Sequence, residues 1–333
     1  MKFLAFLLLL ALVAAGLAAY AIYIPVGPAD GIPDATATYV DIAPGTGTEA
    51  IAAQLEQAGV VRSRYAFDLL RAVKGGKLLA GEYRFNHSAP ATEVYDRIVR
   101  GDVYTIALTI PEGFNIFEIA QAVESAGLGS RTAFLTAART QTSLIADLSP
   151  SAPSLEGYLF PDTYRFPRHI TPTEMLSAMV HRFRRVAAQL GLASTDLHRT
   201  VILASLVEKE VNQGSERPLV AGVFTNRLAQ RMPLATDPSV IYAALLEGRY
   251  RGAIYASDLQ SESPYNTYRH TGLPPGPICN PGIAALKAAI NPTPTDFLYF
   301  VADAQGHSRF SATLKEHTQQ VEDYRHAIHH PTR

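Results

Sequence analysis

Hydrophobic positions are distributed very unevenly along this chain of 333 residues. From Phe3 to Ile24 they form one nearly unbroken run, and no charged side chain occurs between Phe3 and Pro28. That is the length a helix needs to cross a hydrocarbon core. Ala14-Ala15-Gly16-Leu17-Ala18-Ala19 imitates a signal-peptide cleavage site, but the apolar run continues past it to Ile24. The length therefore favours a retained anchor at 1–28 over a cleaved leader. Lys2 precedes the run, and Asp30, Asp34 and Asp41 follow it. A positive flank of this kind stays in the cytoplasm, so the rest is expected outside the inner membrane.

Beyond a Pro/Gly/Ala/Asp-rich linker at 29–38, the pattern repeats itself. Ile51-Ala-Ala-Gln-Leu-Glu-Gln-Ala-Gly59 returns as Ile119-Ala-Gln-Ala-Val-Glu-Ser-Ala-Gly127, and Ser63-Arg-Tyr-Ala-Phe67 returns as Ser130-Arg-Thr-Ala-Phe134. Each copy opens with a strand-like run ending in a turn, Tyr39-Val-Asp-Ile-Ala-Pro-Gly-Thr and Ile106-Ala-Leu-Thr-Ile-Pro-Glu-Gly. An amphipathic helix with a glycine stop follows in both. Between the copies, 80–85 reads as a strand and 92–100 as a short helix. This predicts a small α+β module at 39–104 and a partial second copy, a connecting subdomain, at 105–150.

After Pro150 the pattern turns helical. Helices are expected over 171–190, 202–211 and 215–228, and from Asp237, a plausible N-cap with Pro238 as the first helical residue. Tyr265 to Pro281 is a long loop rich in Pro, Gly, Tyr and Asn. A hairpin (297–302, 309–311) and a polar helix (314–328) close a mainly helical domain at 151–330 with short β-hairpins. The fold class is thus α+β behind an N-terminal transmembrane helix.

Composition then removes function classes. A net charge of −1 leaves no basic surplus for phosphates, so no nucleic acid partner is expected. Cys279 is the single cysteine, which forbids an intramolecular disulfide and reads as a small packed residue. None of the ten histidines stands in a metal-ligand spacing, and no nucleophile elbow, Walker loop or dinucleotide fingerprint is present. No metal or cofactor is expected.

What remains is carboxylate chemistry. Within Ile202-Leu-Ala-Ser-Leu-Val-Glu-Lys-Glu-Val211, spacing at about 100° per residue puts Leu203, Leu206, Val207, Glu210 and Val211 on one arc. Ser205, Glu208 and Lys209 fall on the other. Periodicity makes Glu210 the more desolvated carboxyl and turns Glu208 toward whatever groove the polar arc lines. A carboxyl among apolar side chains can hold a proton near neutrality and act as an acid. Tyr265-Asn266-Thr267-Tyr268, with the stiff Gly272-Leu-Pro-Pro-Gly-Pro277, offers phenols, an amide and rigid backbone suited to sugars. Glu156 and Asp162 lie in a segment of the same chemistry.

These segments resemble the endolytic murein transglycosylase (MltG, YceG-like) family. The resemblance runs over essentially the whole chain and is densest at Leu203–Glu210, Glu216-Arg217, Val223–Leu228, Leu234–Tyr242, Tyr265–Tyr268, Gly272–Ile278 and Leu298–Ala302. It implies a single-pass inner-membrane protein with a cytoplasmic N-terminus, a LysM-like module at 39–104 and a periplasmic catalytic domain. It implies cleavage of the MurNAc–GlcNAc β-1,4 bond within nascent peptidoglycan glycan strands, leaving 1,6-anhydro-MurNAc ends, with peptidoglycan synthases as further candidate partners. The family's catalytic glutamate falls on Glu208. Tyr265, Asn266, Thr267 and Tyr268 are expected at the glycan, with Glu156, Asp162, Asp237 and Glu210 as weaker candidates. A hydrolytic muramidase and a wall-binding scaffold without catalysis are the alternatives.

Overall fold

The computed structural model describes residues 2–28, 37–192, 196–211, 213–303 and 305–329. The predicted linker at 29–38 lies almost wholly outside the described residues. The chain divides into two compact units, Met1–Ile106 and Ala107–Arg333.

The first unit opens with α1 (Lys2–Tyr23), a continuous helix of 22 residues, apolar and long enough to cross a membrane. Next come β1 (Thr38–Ile42), α2 (Thr48–Gln57), α3 (Arg64–Lys74), β2 (Gly81–Phe85) and α4 (Ala91–Arg100). β1 and β2 pair antiparallel with Val40 opposite Tyr83. Inward-facing Val40, Ile42, Tyr83 and Phe85 close on Leu55, Phe67, Tyr95 and Ile98 from the helices, giving the unit one apolar core.

β3 (Ile106–Thr109) begins at the boundary and leads into α5 (Ile116–Ser125), α6 (Arg131–Thr140), a 3-10 turn (Thr142–Ile145) and β4 (Thr163–Phe166). The sequence repeat is thereby a structural one. In both copies a strand, two packed helices and a returning strand form a βααβ unit whose strands pair with each other, β1 with β2 and β3 with β4. The second copy is consequently complete rather than partial. It runs past residue 150, because β4 comes from the segment that the change of composition assigned to the next domain. β3, the expected opening strand of the second copy, pairs with β4.

The remaining elements are α7 (Pro172–Gln189), α8 (Leu197–Glu210), α9 (Arg217–Ala229), α10 (Asp237–Leu246), α11 (Ala256–Leu259), α12 (Ile283–Ile290), the antiparallel pair β5 (Tyr299–Ala302) and β6 (Ser308–Ser311), and α13 (Leu314–His329). α8 is the hub, packed by α9, α10 and α12. Every residue from Val201 to Glu208 is buried, so Ser205 and Glu208 of the polar arc drawn from periodicity face protein, while Lys209 stays exposed. Gly222 permits a close crossing: a methyl group there would overlap the Thr293 carbonyl of the strap that follows α12. Asn226 and Arg227 of α9 fasten that strap by donating to the carbonyls of Thr295, Phe297 and Leu298.

Candidate active site

The last turn of α8 sends three successive side chains in three directions. Glu208 is 9% exposed, and both of its oxygens accept hydrogen bonds. Arg217, the first residue of α9, donates to Oε1 at 2.7 Å, and the Gly282 amide donates to Oε2 at 3.0 Å. Lys209 donates to the Gly113 carbonyl at 3.3 Å. Glu210 enters a cavity of about 450 Å³ lined also by Arg227, Asp237, Tyr268, Phe300 and His317. Periodicity had made Glu210 the deeper carboxyl. The structure instead buries Glu208 outright and leaves Glu210 half-buried, because α9 and the loop before α12 close over the supposed polar arc.

A second carboxyl stands beside Glu208, and sequence reasoning missed it. Glu112 lies in the turn Pro111-Glu112-Gly113 between β3 and α5, with Gly113 at φ +80°, where a side chain would be strained. Its carboxylate covers Gly282 so closely that a methyl group on Gly282 would overlap it. Partial burial and the charge of Glu208 push the Glu112 carboxyl above the usual range, against the opposing pull of Arg217 and the Ile283 amide. The two carboxyls thus take successive amides at the start of α12, that of its N-cap Gly282 and that of its first residue Ile283.

The turn is held by Asn280, fully buried. The Gly113 amide donates to the Asn280 carbonyl, and the Asn280 amide and side chain both donate to the Phe114 carbonyl, all at 2.9 Å. The same side chain donates to Glu156 Oε1 at 2.8 Å and accepts from the Leu159 amide at 2.8 Å. Glu156 is therefore no groove residue. It is 2% exposed, also takes the Ile116 amide at 2.9 Å, and lies against the Tyr242 hydroxyl. Burial pushes its carboxyl up to about 8, only partly countered by these donors.

The Tyr265–Tyr268 run divides in the same way. Tyr265 is buried with its ring 5.2 Å from that of Tyr242. Asn266 ties the loop to the Leu259 and Ser261 carbonyls, and Thr267 binds the Thr236 amide and the Ser239 hydroxyl. The polar side-chain atoms of Asn266 and Thr267 are thus engaged within the protein, in the loop and at the start of α10. Tyr268 alone is presented outward, 41% exposed, and donates to Asp237 Oδ1 at 2.7 Å. Asp237 is the first residue of α10 rather than its cap, which is Thr236. Ala235 precedes the pair at φ +49°, a strained geometry for a residue with a side chain. Burial and the neighbouring Asp237 charge raise Glu210 to about 7, against Arg227. Asp162 stands apart, its carboxylate paired with Arg182 at 2.6 Å and held low by it.

Next to the Glu210 cavity lies a second, of about 460 Å³, lined by Asn115, Phe117, Glu118, Lys209, Tyr242 and Tyr250 among others. Lys209 and Pro238 face it, whereas their chain neighbours Glu210 and Asp237 face the first. The end of α8 therefore forms a saddle between two hollows, each with aromatic walls and charged groups. Such lining suits pyranose rings carrying amide and carboxyl substituents. Among the described residues no three His, Cys, Asp or Glu side chains could hold a metal ion. Cys279 is buried with its thiol pushed well above the ordinary range by burial, so it is inert as a nucleophile.

The profile described as the YceG-like family matches residues 40–323. A Bacillus subtilis (strain 168) protein named endolytic murein transglycosylase is 33% identical over 310 residues, spanning 87% of this chain and 85% of the relative. A Streptococcus pneumoniae serotype 2 (strain D39 / NCTC 7466) protein of the same name is 31% identical over 321 residues, spanning 86% of this chain but 58% of the relative. A crystal structure of a YceG-like protein from Listeria monocytogenes superposes with a TM-score of 0.57 at 30% identity, covering 85% of this chain and 98% of that one. With a profile spanning most of its length and relatives above 30% identity along both units, this chain belongs to the YceG-like family.

Proposed function

We propose that this chain is an endolytic murein transglycosylase, a peptidoglycan lyase, held by α1 in the inner membrane with its two folded units in the periplasm. It cleaves the MurNAc–GlcNAc β-1,4 bond inside nascent glycan strands and leaves 1,6-anhydro-MurNAc ends. The observation that carries this reading is Glu208, a buried carboxyl in the last turn of α8, whose next two residues, Lys209 and Glu210, each line one of the two hollows. Two hollows at the residues that directly follow the acid suit cutting within a strand, since sugars on either side of the broken bond then have a place to sit.

In this reading Glu208 protonates the glycosidic oxygen as the C1–O4 bond breaks. It then accepts the proton of the C6 hydroxyl as that oxygen closes on C1, with the N-acetyl group assisting. No water enters, so one carboxyl serves as acid and then base. Tyr268 and Asp237 hold the sugar at one hollow, and Glu210 supports them. The βααβ module of the first unit is read as the LysM-like element that holds the strand. Peptidoglycan synthases at the same membrane face are the partners this placement suits.

One observation favours a hydrolytic muramidase as a second reading. Hydrolases pair an acid with a second carboxylate, and Glu112 stands beside Glu208. The test is the product mass from purified glycan strands with the native protein and Glu208→Gln. The lytic reading expects ends lighter by one water, and at least a hundredfold loss in the variant. Reducing ends of full mass would establish the muramidase, and an active Glu208→Gln variant would remove both readings.

A further inference from the structure

The Pro111-Glu112-Gly113 turn is built with more care than a connection between a strand and a helix requires. Two backbone hydrogen bonds clamp it to Asn280, and Lys209 adds a third contact at the Gly113 carbonyl. The clamp fixes the turn against the loop whose Gly282 amide serves Glu208. Gly282 has no side chain, and only a glycine leaves room for the Glu112 carboxylate there. Both carboxyls consequently sit on adjacent amides at the start of α12, where the helix dipole favours negative charge but one place accommodates it best.

We propose that Glu112 is a positioning residue that shares a single proton with Glu208, so that the pair, rather than Glu208 alone, supplies the acid of the reaction. This rests on the assignment of Glu208 above. The charged groups facing the pair are few. Arg217 of α9 takes Glu208, and Lys209 of α8 reaches the Gly113 carbonyl. Glu118 and Glu156 turn to the Asn115 and Ile116 amides of α5. Nothing cationic among these is hydrogen-bonded to Glu112, whose neighbours Glu208 and burial both favour its neutral form. Two carboxyls held on adjacent amides repel one another when both are ionised, which favours the pair with one proton between them. The shared proton passes to Glu208 when a glycan is bound, goes to the leaving oxygen as C1–O4 breaks, and is replaced by the C6 hydroxyl proton. The balance closes without another reactant.

The experiment compares pH–rate profiles of the full chain in detergent, on uncrosslinked glycan strands, for the native protein, Glu112→Gln, Glu112→Asp and Glu208→Gln. Gln keeps an acceptor for the Ile283 amide and removes only the charge and its proton. We expect Glu112→Gln to move the alkaline limb about one pH unit lower, with a three- to tenfold fall in kcat at neutrality and an unchanged KM. Its products keep their anhydro ends, and Glu112→Asp retains the native limb. A native profile in Glu112→Gln, at an unchanged melting temperature, overturns the proposal and leaves Glu208 as the lone acid. A fully active Glu208→Gln overturns the underlying assignment instead.

Discussion

Burial of Glu156 makes a prediction about stability that can be worked through. Its carboxyl rises from an ordinary 4.5 to about 8 on folding, chiefly because it leaves water. The folded state then holds a proton that the unfolded state releases, so stability falls as pH rises through that window. The slope is about 1.4 kcal/mol per pH unit, and the window sets a ceiling of about 5 kcal/mol. The stabilisation is fully present below pH 4.5 and gone above about 8. Glu210, raised to about 7, adds a loss of the same sign over a shorter window. Glu156→Gln removes the first contribution and keeps the second. Because the Gln amide meets the Asn280 amide donor, the variant also carries a constant cost of about 1–2 kcal/mol. The deciding quantity is therefore the difference between pH 5 and pH 8.5, not the offset. Urea midpoints followed by circular dichroism suit a chain without tryptophan. We expect the native protein to lose about 2–4 kcal/mol more than the variant across that interval. Equal losses in the two proteins would refute the assignment of a buried, proton-holding Glu156.

Two further outcomes follow from contacts at the site. Asn280→Ala strips hydrogen bonds from the Phe114 carbonyl, Glu156 and the Leu159 amide together, and should cost about 2–4 kcal/mol by urea denaturation; a cost below about 1 kcal/mol would contradict its place as the clamp. Tyr268→Phe removes the donor to Asp237 and should raise KM for glycan strands about threefold to tenfold with kcat within about twofold, whereas an unchanged KM would take the Glu210 cavity out of the binding path.

The elements were legible where local pattern decides them. The apolar run, the helices with proline in their first turn and the closing hairpin all stand near their expected places. The repeat was legible as sequence but not as a complete βααβ unit, because β4 is a four-residue strand hidden in a Pro-punctuated aromatic segment. The site was half legible. Glu208 stood out as a carboxyl in an apolar run, yet its depth did not, since periodicity ranks the faces of one helix and cannot see α9 and α12 closing on the weaker face. Glu112 sits in a strand–turn–helix connection where Pro-Glu-Gly reads as turn chemistry. Buried Asn280, Asn266 and Thr267 look in sequence like any loop polar residues. Only the folded backbone reveals that their bonds are inward. The one local signal that could have pointed to Glu112 is its phase in the repeat, because the equivalent turn of the first copy, Ala43-Pro44-Gly45, carries no acid.

That difference between the copies bears on how the site arose within the fold. Both βααβ units contain a strand, a tight turn with a glycine of positive φ, and two packed helices. In the first copy the turn residues Ala43 to Gly45 are exposed and no charged group is built into them. In the second, the same turn carries Glu112 and is clamped to Asn280, which in turn holds Glu156 and the loop leading to Gly282. A single buried asparagine thus couples the second repeat to the end of α8, so the precision of the carboxyl pair depends on residues that never reach the substrate. The burial and hydrogen bonds around this joint, rather than the loops that line the hollows, are what fix the positions of the two carboxyls.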